Sequence, residues 1–242
     1  MRFAVKTIEQ VKLAGPEQLL RSDLMSPFVW RTQSGKLSLL VRATPPISEG
    51  GGITGRIWYG VGDADGLHFE MDSKPLLTPG PDALDILGCE DPTFVHAKDS
   101  CVVYYTGLEA QGSGQMLYAS GPNIHALEKK GVALASSKTE RNTKEASIEV
   151  TEDGQWRLFY EYEHNWRSCI GLALGPVPYG PWDEQPDPFA ARPNHWDSWH
   201  LSTGPLLMTD PEMPVMFYNG SDSDARWSIG WIVFARDCAS VI

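Results

Sequence analysis

Four times along the chain, a small or acidic tripeptide leads into a strand, a turn, an aromatic-rich strand, a linker and a third strand carrying Gly or Ala. The lead-ins are Ser26-Pro27-Phe28, Glu90-Asp91-Pro92, Glu145-Ala146-Ser147 and Gly204-Pro205-Leu206. Their partner strands are Leu39–Arg42, Val102–Tyr105, Leu158–Glu161 and Met216–Asn219. The third strands are Arg56–Gly60, Gln115–Ala119, Cys169–Ala173 and Ser228–Ile232. A unit of about 60 residues holding several strands is the signature of propeller blades, whose sheets bury their faces only against neighbouring sheets. Four blades are visible. The chain stops at Ile242 just after a strand, so the expectation is that the N-terminal segment supplies outer strands or that a last blade is incomplete.

The local pattern agrees. Short alternating apolar runs, broken by turn residues roughly every 8–12 positions, favour sheet over helix. Strands are expected at Phe28–Arg31, Leu37–Ala43, Arg56–Val61, Thr93–Val95, Val102–Thr106, Met116–Ser120, Ser147–Thr151, Trp156–Tyr162, Ser168–Leu174, Leu206–Met208, Val215–Asn219 and Ser228–Phe234. Ser34-Gly35, Asp65-Gly66, Asp153-Gly154 and Asp222–Asp224 supply the turns between them. Helix is confined to Glu9–Leu20, interrupted by Gly15-Pro16, and to about two turns over Asn123–Lys129.

At 242 residues, 42% hydrophobic and 21% charged, this is an ordinary globular composition and fits one domain over residues 1–242. A net charge of -11 argues against nucleic-acid and anionic-membrane partners and suits a neutral ligand such as a sugar. Cys89, Cys101, Cys169 and Cys238 have no C-x-x-C spacing and read as buried thiols in a reducing compartment. No signal-like start and no apolar run of membrane-spanning length is present, so cytoplasmic placement is expected.

Chemistry concentrates at Glu90-Asp91-Pro92. Paired acids are the usual equipment for glycosidic cleavage, where one group handles a proton at the leaving oxygen. Proline restricts the residue before it, so Asp91 is expected on a stiff, extended backbone. The plain alternative is that Asp-Pro merely starts a strand after a turn. Adjacent acids on a regular strand point to opposite faces, so a second carboxylate addressing the same bond must come from another blade. Glu145 opens its unit as Asp91 opens the one before it, and should reach the same axial end; the alternative is a solvated acid beside Lys144. Glu161 and Glu163 alternate with Tyr160 and Tyr162, giving the strand an acidic and an aromatic face.

In order and spacing, these segments resemble glycoside hydrolase family 130 from about Met25 to about Arg236. Ser26-Pro27 with Leu39-Leu40-Val41-Arg42-Ala43 is similar to the family's Asn-Pro lead-in and Leu-Leu-Tyr-Arg-Ala strand. Gly88-Cys89-Glu90-Asp91-Pro92 with Tyr104-Tyr105-Thr106 resembles its Glu-Asp-Pro-Arg motif and following Tyr-Thr strand. Asp197-Ser198-Trp199, Gly204-Pro205-Leu206-Leu207 and Phe217-Tyr218-Asn219-Gly220 resemble its Gly-Pro-Pro-Pro and Tyr-His-Gly elements. The resemblance implies a five-bladed β-propeller acting on β-mannosides with inversion. It implies Asp91 as the acid, protonating the leaving oxygen through a sugar hydroxyl. In the family's phosphorylases the nucleophile is phosphate held by basic residues; in its hydrolases it is water activated by glutamate.

Departures from the pattern favour water. The motif's Arg is Thr93, the His-Arg pair of a middle strand is Tyr160-Glu161, and the histidine of Tyr-His-Gly is Asn219. A phosphate dianion needs charge-assisted donors that these changes remove. The expected site is therefore Asp91 as acid and Glu145 or Glu161 as base, with Arg42, Glu90, Tyr105, Asp197, Trp199 and Asn219 binding substrate. Arg42 would clamp a hydroxyl or carboxylate, or form a structural ion pair. The run His195-Trp196-Asp197-Ser198-Trp199-His200 suits sugars, with indole faces for C–H surfaces and polar groups for hydroxyls. Its spacing matches no metal motif, and no metal or organic cofactor is expected. Nucleotide-binding loops and a Gly-x-Ser-x-Gly elbow are missing from the sequence. The expected partner is an oligosaccharide substrate, with homo-oligomerisation open. The rival readings are a β-mannoside phosphorylase, a propeller glycosidase for arabinosides or fructosides, and a non-catalytic carbohydrate-binding propeller.

Overall fold

The computed structural model describes residues 3–46, 54–137 and 139–242. Its strands form four sheets arranged like propeller blades. Blade 1 contains β1 (Lys12–Ala14), β2 (Asp23–Arg31), β3 (Leu37–Thr44), β4 (Arg56–Gly62) and β5 (His68–Met71), in the order β1-β5-β4-β3-β2. Blade 2 is β6 (Gly88–Ala97), β7 (Ser100–Leu108), β8 (Gly114–Gly121) and β9 (Glu128–Leu134), paired in chain order. Blade 3 repeats that order with β10 (Arg141–Val150), β11 (Trp156–His164), β12 (Arg167–Gly175) and β13 (Asp183–Gln185). In blade 4, β14 (His200–Ser202) and β15 (Leu206–Leu207) share one edge of β16 (Val215–Ser221), and β17 (Trp227–Val233) takes the other.

The middle strands of blades 2 and 3 read as largely apolar runs because both of their faces are buried, each against a different neighbouring blade. Val103 and Tyr105 of β7 face blade 1 and pack with Leu40, Ile57 and Tyr59. Val102 and Tyr104 face blade 3 and pack with Leu158, Tyr160 and Ala173. Phe159, Ile170 and Leu172 then meet Leu201, Met216, Tyr218 and Phe234 of blade 4. Full burial of each such side chain contributes roughly 1.5–3 kcal/mol, so the seams between sheets hold the assembly together. The remaining face of blade 1, with Leu39, Val41, Trp58 and Phe69, is closed by Leu19 of the short helix α1 (Glu17–Leu20).

Every strand expected from the pattern is found. The strands β1, β5, β9, β13 and β14 go beyond it. The N-terminal segment does supply an outer strand, as expected: β1 runs parallel to β5. Upstream of it, Phe3 packs edge-on against Phe217 and Trp231 of blade 4, at 4.9 and 5.4 Å between ring centroids. The same segment thus touches the first and fourth sheets. The helix expected over Asn123–Lys129 is a turn running into β9. Asn123 Oδ1 accepts the His125 N–H at 3.0 Å, a local bond that competes with helix. All four cysteines are free thiols; Cys169 is half-buried and the others are buried.

Candidate active site

One backbone irregularity recurs in the edge strand at the front of each of the first three sheets. Pairing slips between Met25 and Phe28, between Glu90 and Thr93, and between Lys144 and Ser147. In each, two residues oppose one: Ser26-Pro27 against Val41, Asp91-Pro92 against Tyr105, and Glu145-Ala146 against Tyr160. The first residue of each bulge is left-handed, with φ of 49° at Ser26, 47° at Asp91 and 52° at Glu145. Such conformations cost roughly 1–3 kcal/mol each in non-glycine residues and persist only where the surroundings impose them. This corrects the extended backbone expected for Asp91: the bulge overrides the restriction that Pro92 places on it. The fourth sheet breaks at the same place, where Thr203–Pro205 separate β14 from β15. There, a Cβ on Gly204 would lie 2.3 Å from the Phe217 carbonyl oxygen, which reserves the position for glycine.

The bulges converge. Ser26, Asp91, Glu145, Ser202, Thr203 and Asn219 all line one open cavity of about 800 Å³. Hydroxyls stitch its wall from sheet to sheet. Ser26 Oγ donates to Asp91 Oδ1 at 2.6 Å, and Thr93 Oγ1 donates to the Ala146 carbonyl at 2.6 Å. Ser202 Oγ donates to Glu145 Oε2, and Thr203 Oγ1 to the Glu145 carbonyl.

Two charge clusters flank this belt. Arg42 is ion-paired with Glu90, and its Nη1 lies 3.6 Å from Asp91 Oδ1. Because of the bulge, both adjacent acids reach one guanidinium, which corrects the opposite-face expectation for Glu90 and Asp91. Lys144 Nζ lies 3.3 Å from Glu161 and 4.0 Å from Glu145. Burial pushes the Glu90 carboxyl up to about 7 against the pull of Arg42, with Asp91 adding to the rise. Burial also raises Glu145, helped by the charges of Glu161 and Asp91 and opposed by Lys144 and the Ser202 hydroxyl. For Lys144, burial works against the charge, but Glu161, Glu145 and Asp91 outweigh it and hold the ammonium protonated.

Strand register places the other expected residues. Arg42 pairs with Met25, Thr106 with Glu90, and Glu161 with Lys144, so these three second-strand positions are equivalent. Asn219, opposite Ser202, is the fourth. Asp91, Glu145 and Asn219 line the cavity, with Arg42 tied to Asp91 and to Glu90. Glu161 stands behind Lys144, 4% exposed, and is no part of the cavity wall. Tyr105 is a correction. It lies one residue from the equivalent position, so its side chain takes the opposite face and its hydroxyl donates to buried Asp85 at 3.0 Å. Asp197 is likewise displaced, 1% exposed inside blade 4, where it receives Arg192 Nε at 2.9 Å and the Tyr218 hydroxyl at 2.7 Å. Trp199 faces a different cavity, between blades 3 and 4.

Lys144 is the residue the sequence reading passed over as a mere neighbour of Glu145. Its signal is positional, since it occupies in the third unit the place that Glu90 holds in the second. Among the described residues, no three His, Cys, Asp or Glu side chains are grouped to hold a metal ion.

No family model matches the chain, and no curated protein matches it. Solved structures do. One was reported for the glycoside hydrolase family 130 of mannoside phosphorylases, which contains hydrolases that target β-1,2 mannosidic linkages in Candida mannan. It is 24% identical over 91% of this chain and 69% of its own, with a TM-score of 0.74. A glycosyl hydrolase from Bacteroides ovatus is 22% identical over 91% and 69%, with a TM-score of 0.74. A β-1,2-mannobiose phosphorylase from Listeria innocua, solved with β-1,2-mannobiose, is 17% identical over 92% and 76%, with a TM-score of 0.71. The chain therefore has a propeller fold that glycoside hydrolases and mannoside phosphorylases also use.

Proposed function

We propose that this protein is a glycoside hydrolase that cleaves β-mannoside oligosaccharides by an inverting single displacement. The observation that carries the reading is that Asp91 and Glu145, the left-handed bulge residues of neighbouring sheets, face one cavity. Asp91 is the acid and delivers a proton to the leaving oxygen through a hydroxyl of the bound sugar. Glu145 is the base. It takes a proton from the water that attacks the anomeric carbon on the opposite face, and the glycosidic bond breaks as the new C–O bond forms. Ser202 and Lys144 hold the Glu145 carboxylate in place, and Glu161 fixes Lys144 from behind.

Water is favoured over phosphate by the charge balance at the cavity. Four carboxylates (Glu90, Asp91, Glu145 and Glu161) share two cations, Arg42 and Lys144, and each cation contacts two of those carboxylates. A phosphate dianion would have to displace one of these pairings while facing the remaining negative charge. A neutral sugar and water meet no such opposition.

The test is product analysis with β-1,2-mannobiose in phosphate-free buffer. Release of mannose at a rate unchanged by added phosphate supports hydrolysis. Strict phosphate dependence with mannose 1-phosphate as product would replace it with phosphorolysis, and tight sugar binding without turnover would leave a carbohydrate-binding protein.

A further inference from the structure

A second cavity of about 440 Å³ opens between blades 3 and 4, a size within the range of small-molecule sites. Asn165, Arg167, Asp187 and Trp199 contribute to its wall, with the Arg167 guanidinium 4.0 Å from the centre of the Trp199 indole ring. His200 stands between the two cavities. On one side its Nδ1 accepts the backbone N–H of Ser168, which lines the second cavity, at 3.0 Å. On the other its ring stacks on Trp227, which lines the first, at 5.8 Å between centroids.

The hairpin joining β11 to β12 borders this second cavity. Its two turn residues, Asn165 and Trp166, have φ of 51° and 64°, the mirror-image turn that favours Asn followed by Gly. A bulky residue in the left-handed region is an outlier. Trp166 is also 76% exposed, so burial does not explain its presence. Its ring lies 5.1 Å from the guanidinium of Arg141, which is ion-paired with Glu163 at 2.7 Å. The turn therefore keeps an exposed, oriented indole on a disfavoured backbone, and the residues on either side of that indole line a cavity.

We propose that this hairpin and cavity form a second carbohydrate subsite, holding a pyranose unit of an oligosaccharide away from the bond that is cleaved. The proposal rests on the glycosidase reading of the central cavity. Trp166, beside the cavity rather than in its wall, offers an apolar face for the sugar's C–H surface, and Asn165, Arg167 and Asp187 in the wall offer donors and acceptors for its hydroxyls.

Steady-state kinetics of the full chain with β-1,2-mannobiose and β-1,2-mannotetraose test it, alongside calorimetric titration of each sugar. Trp166→Gly places in the turn the residue its geometry prefers, so its melting temperature should hold or rise. For the tetraose, KM and Kd should rise by about tenfold, equivalent to ~1.4 kcal/mol, with kcat unchanged. For the disaccharide, both constants should stay within about twofold of the wild type. Arg167→Ala should behave in the same way. Equal effects on the two sugars, no effect on the tetraose, or no binding of tetraose by the wild-type protein would overturn the subsite. Tetraose binding that depends on Trp166, without turnover of either sugar, would keep the subsite and remove the glycosidase reading instead.

Discussion

Replacing Arg42 by methionine should destabilise the protein in a way that depends on pH. The guanidinium is 17% exposed and serves Glu90 and Asp91, each 9% exposed. Removing one partner from a buried pair typically costs ~3–5 kcal/mol, because a charge is left without compensation. Residual exposure here argues for the lower end, ~3 kcal/mol, which corresponds to a fall in Tm of roughly 6–12 °C at this chain length. Burial already holds the Glu90 pKa at about 7, above the usual carboxylate range, and Arg42 is the main force opposing that rise. Losing Arg42 raises it further. A carboxyl whose folded pKa is raised contributes stability at pH values below its unfolded pKa, and that contribution is lost as pH climbs through the folded value. The deficit of Arg42→Met should therefore be modest near about pH 5, where Glu90 is protonated with or without Arg42, and larger near about pH 8, growing as pH climbs from about 7 toward the variant's raised value. Urea unfolding at both pH values measures it, and adding Glu90→Gln to Arg42→Met should recover more than half of the loss at the higher pH. A deficit of about 1 kcal/mol or less at pH 8, the range of exposed pairs, would refute the argument. So would a deficit that shrinks as pH rises.

Asp91→Asn and Glu145→Gln should each lower kcat on mannobiose by about 10²–10⁴-fold while the melting transition is retained; near-wild-type turnover in either would strip that residue of its role. Because burial and the neighbouring carboxylates raise Glu145, the acidic limb of kcat/KM should lie above the usual glutamate value of about 4.3. Glu161→Gln removes one of those like charges and should move the limb to lower pH. Asp85 is fully buried and receives Lys129 Nζ at 2.5 Å and the Tyr105 hydroxyl at 3.0 Å. Asp85→Asn should therefore cost about 3 kcal/mol in urea unfolding, since it removes the buried carboxylate that a half-buried ammonium is paired with. Burial pushes the Cys89 thiol up to about 12 and Cys238 to about 11, so both should resist an aromatic disulfide reagent at neutral pH until the protein unfolds. Immediate reaction of all four thiols in the native protein would contradict this.

The middle strands were legible because burial on both faces writes an apolar run that few other structures need, as in Val102–Tyr105 and Leu158–Tyr160. The outer strands were not. β9 begins Glu128-Lys129-Lys130, a charged run as compatible with helix as with sheet, and β13 is three polar residues long. At the site, the repeated lead-ins pointed to Asp91 and Glu145 through their equivalence, and both line one cavity; that Arg42, Glu161 and Asn219 occupy equivalent places emerges only from the strand register. Parity also explains the error at Tyr105. The motif Tyr104-Tyr105-Thr106 does not reveal which residue faces inward until the bulge opposite it is known, and Thr106 proved to be the equivalent. Asp197 was misplaced because an acid amid aromatics reads equally well as a sugar ligand or as one end of a buried ion pair. The backbone at Asp91 could not be foreseen from Pro92, whose local preference was overridden by packing between sheets.

Because the three acidic and hydroxyl-bearing kinks sit on edge strands while the packed aromatic layers lie between the sheets, most of what keeps this molecule folded stands apart from its chemistry, the side-chain ties at Ser26, Asp91 and Glu145 being the exception. Exchanging the side chain at position 26, 91 or 145 alters what the opening presents, yet leaves the interlocked aromatic layers untouched. A molecule organised in this way can be re-tasked one sheet at a time, and related architectures can diverge in reaction while remaining superimposable.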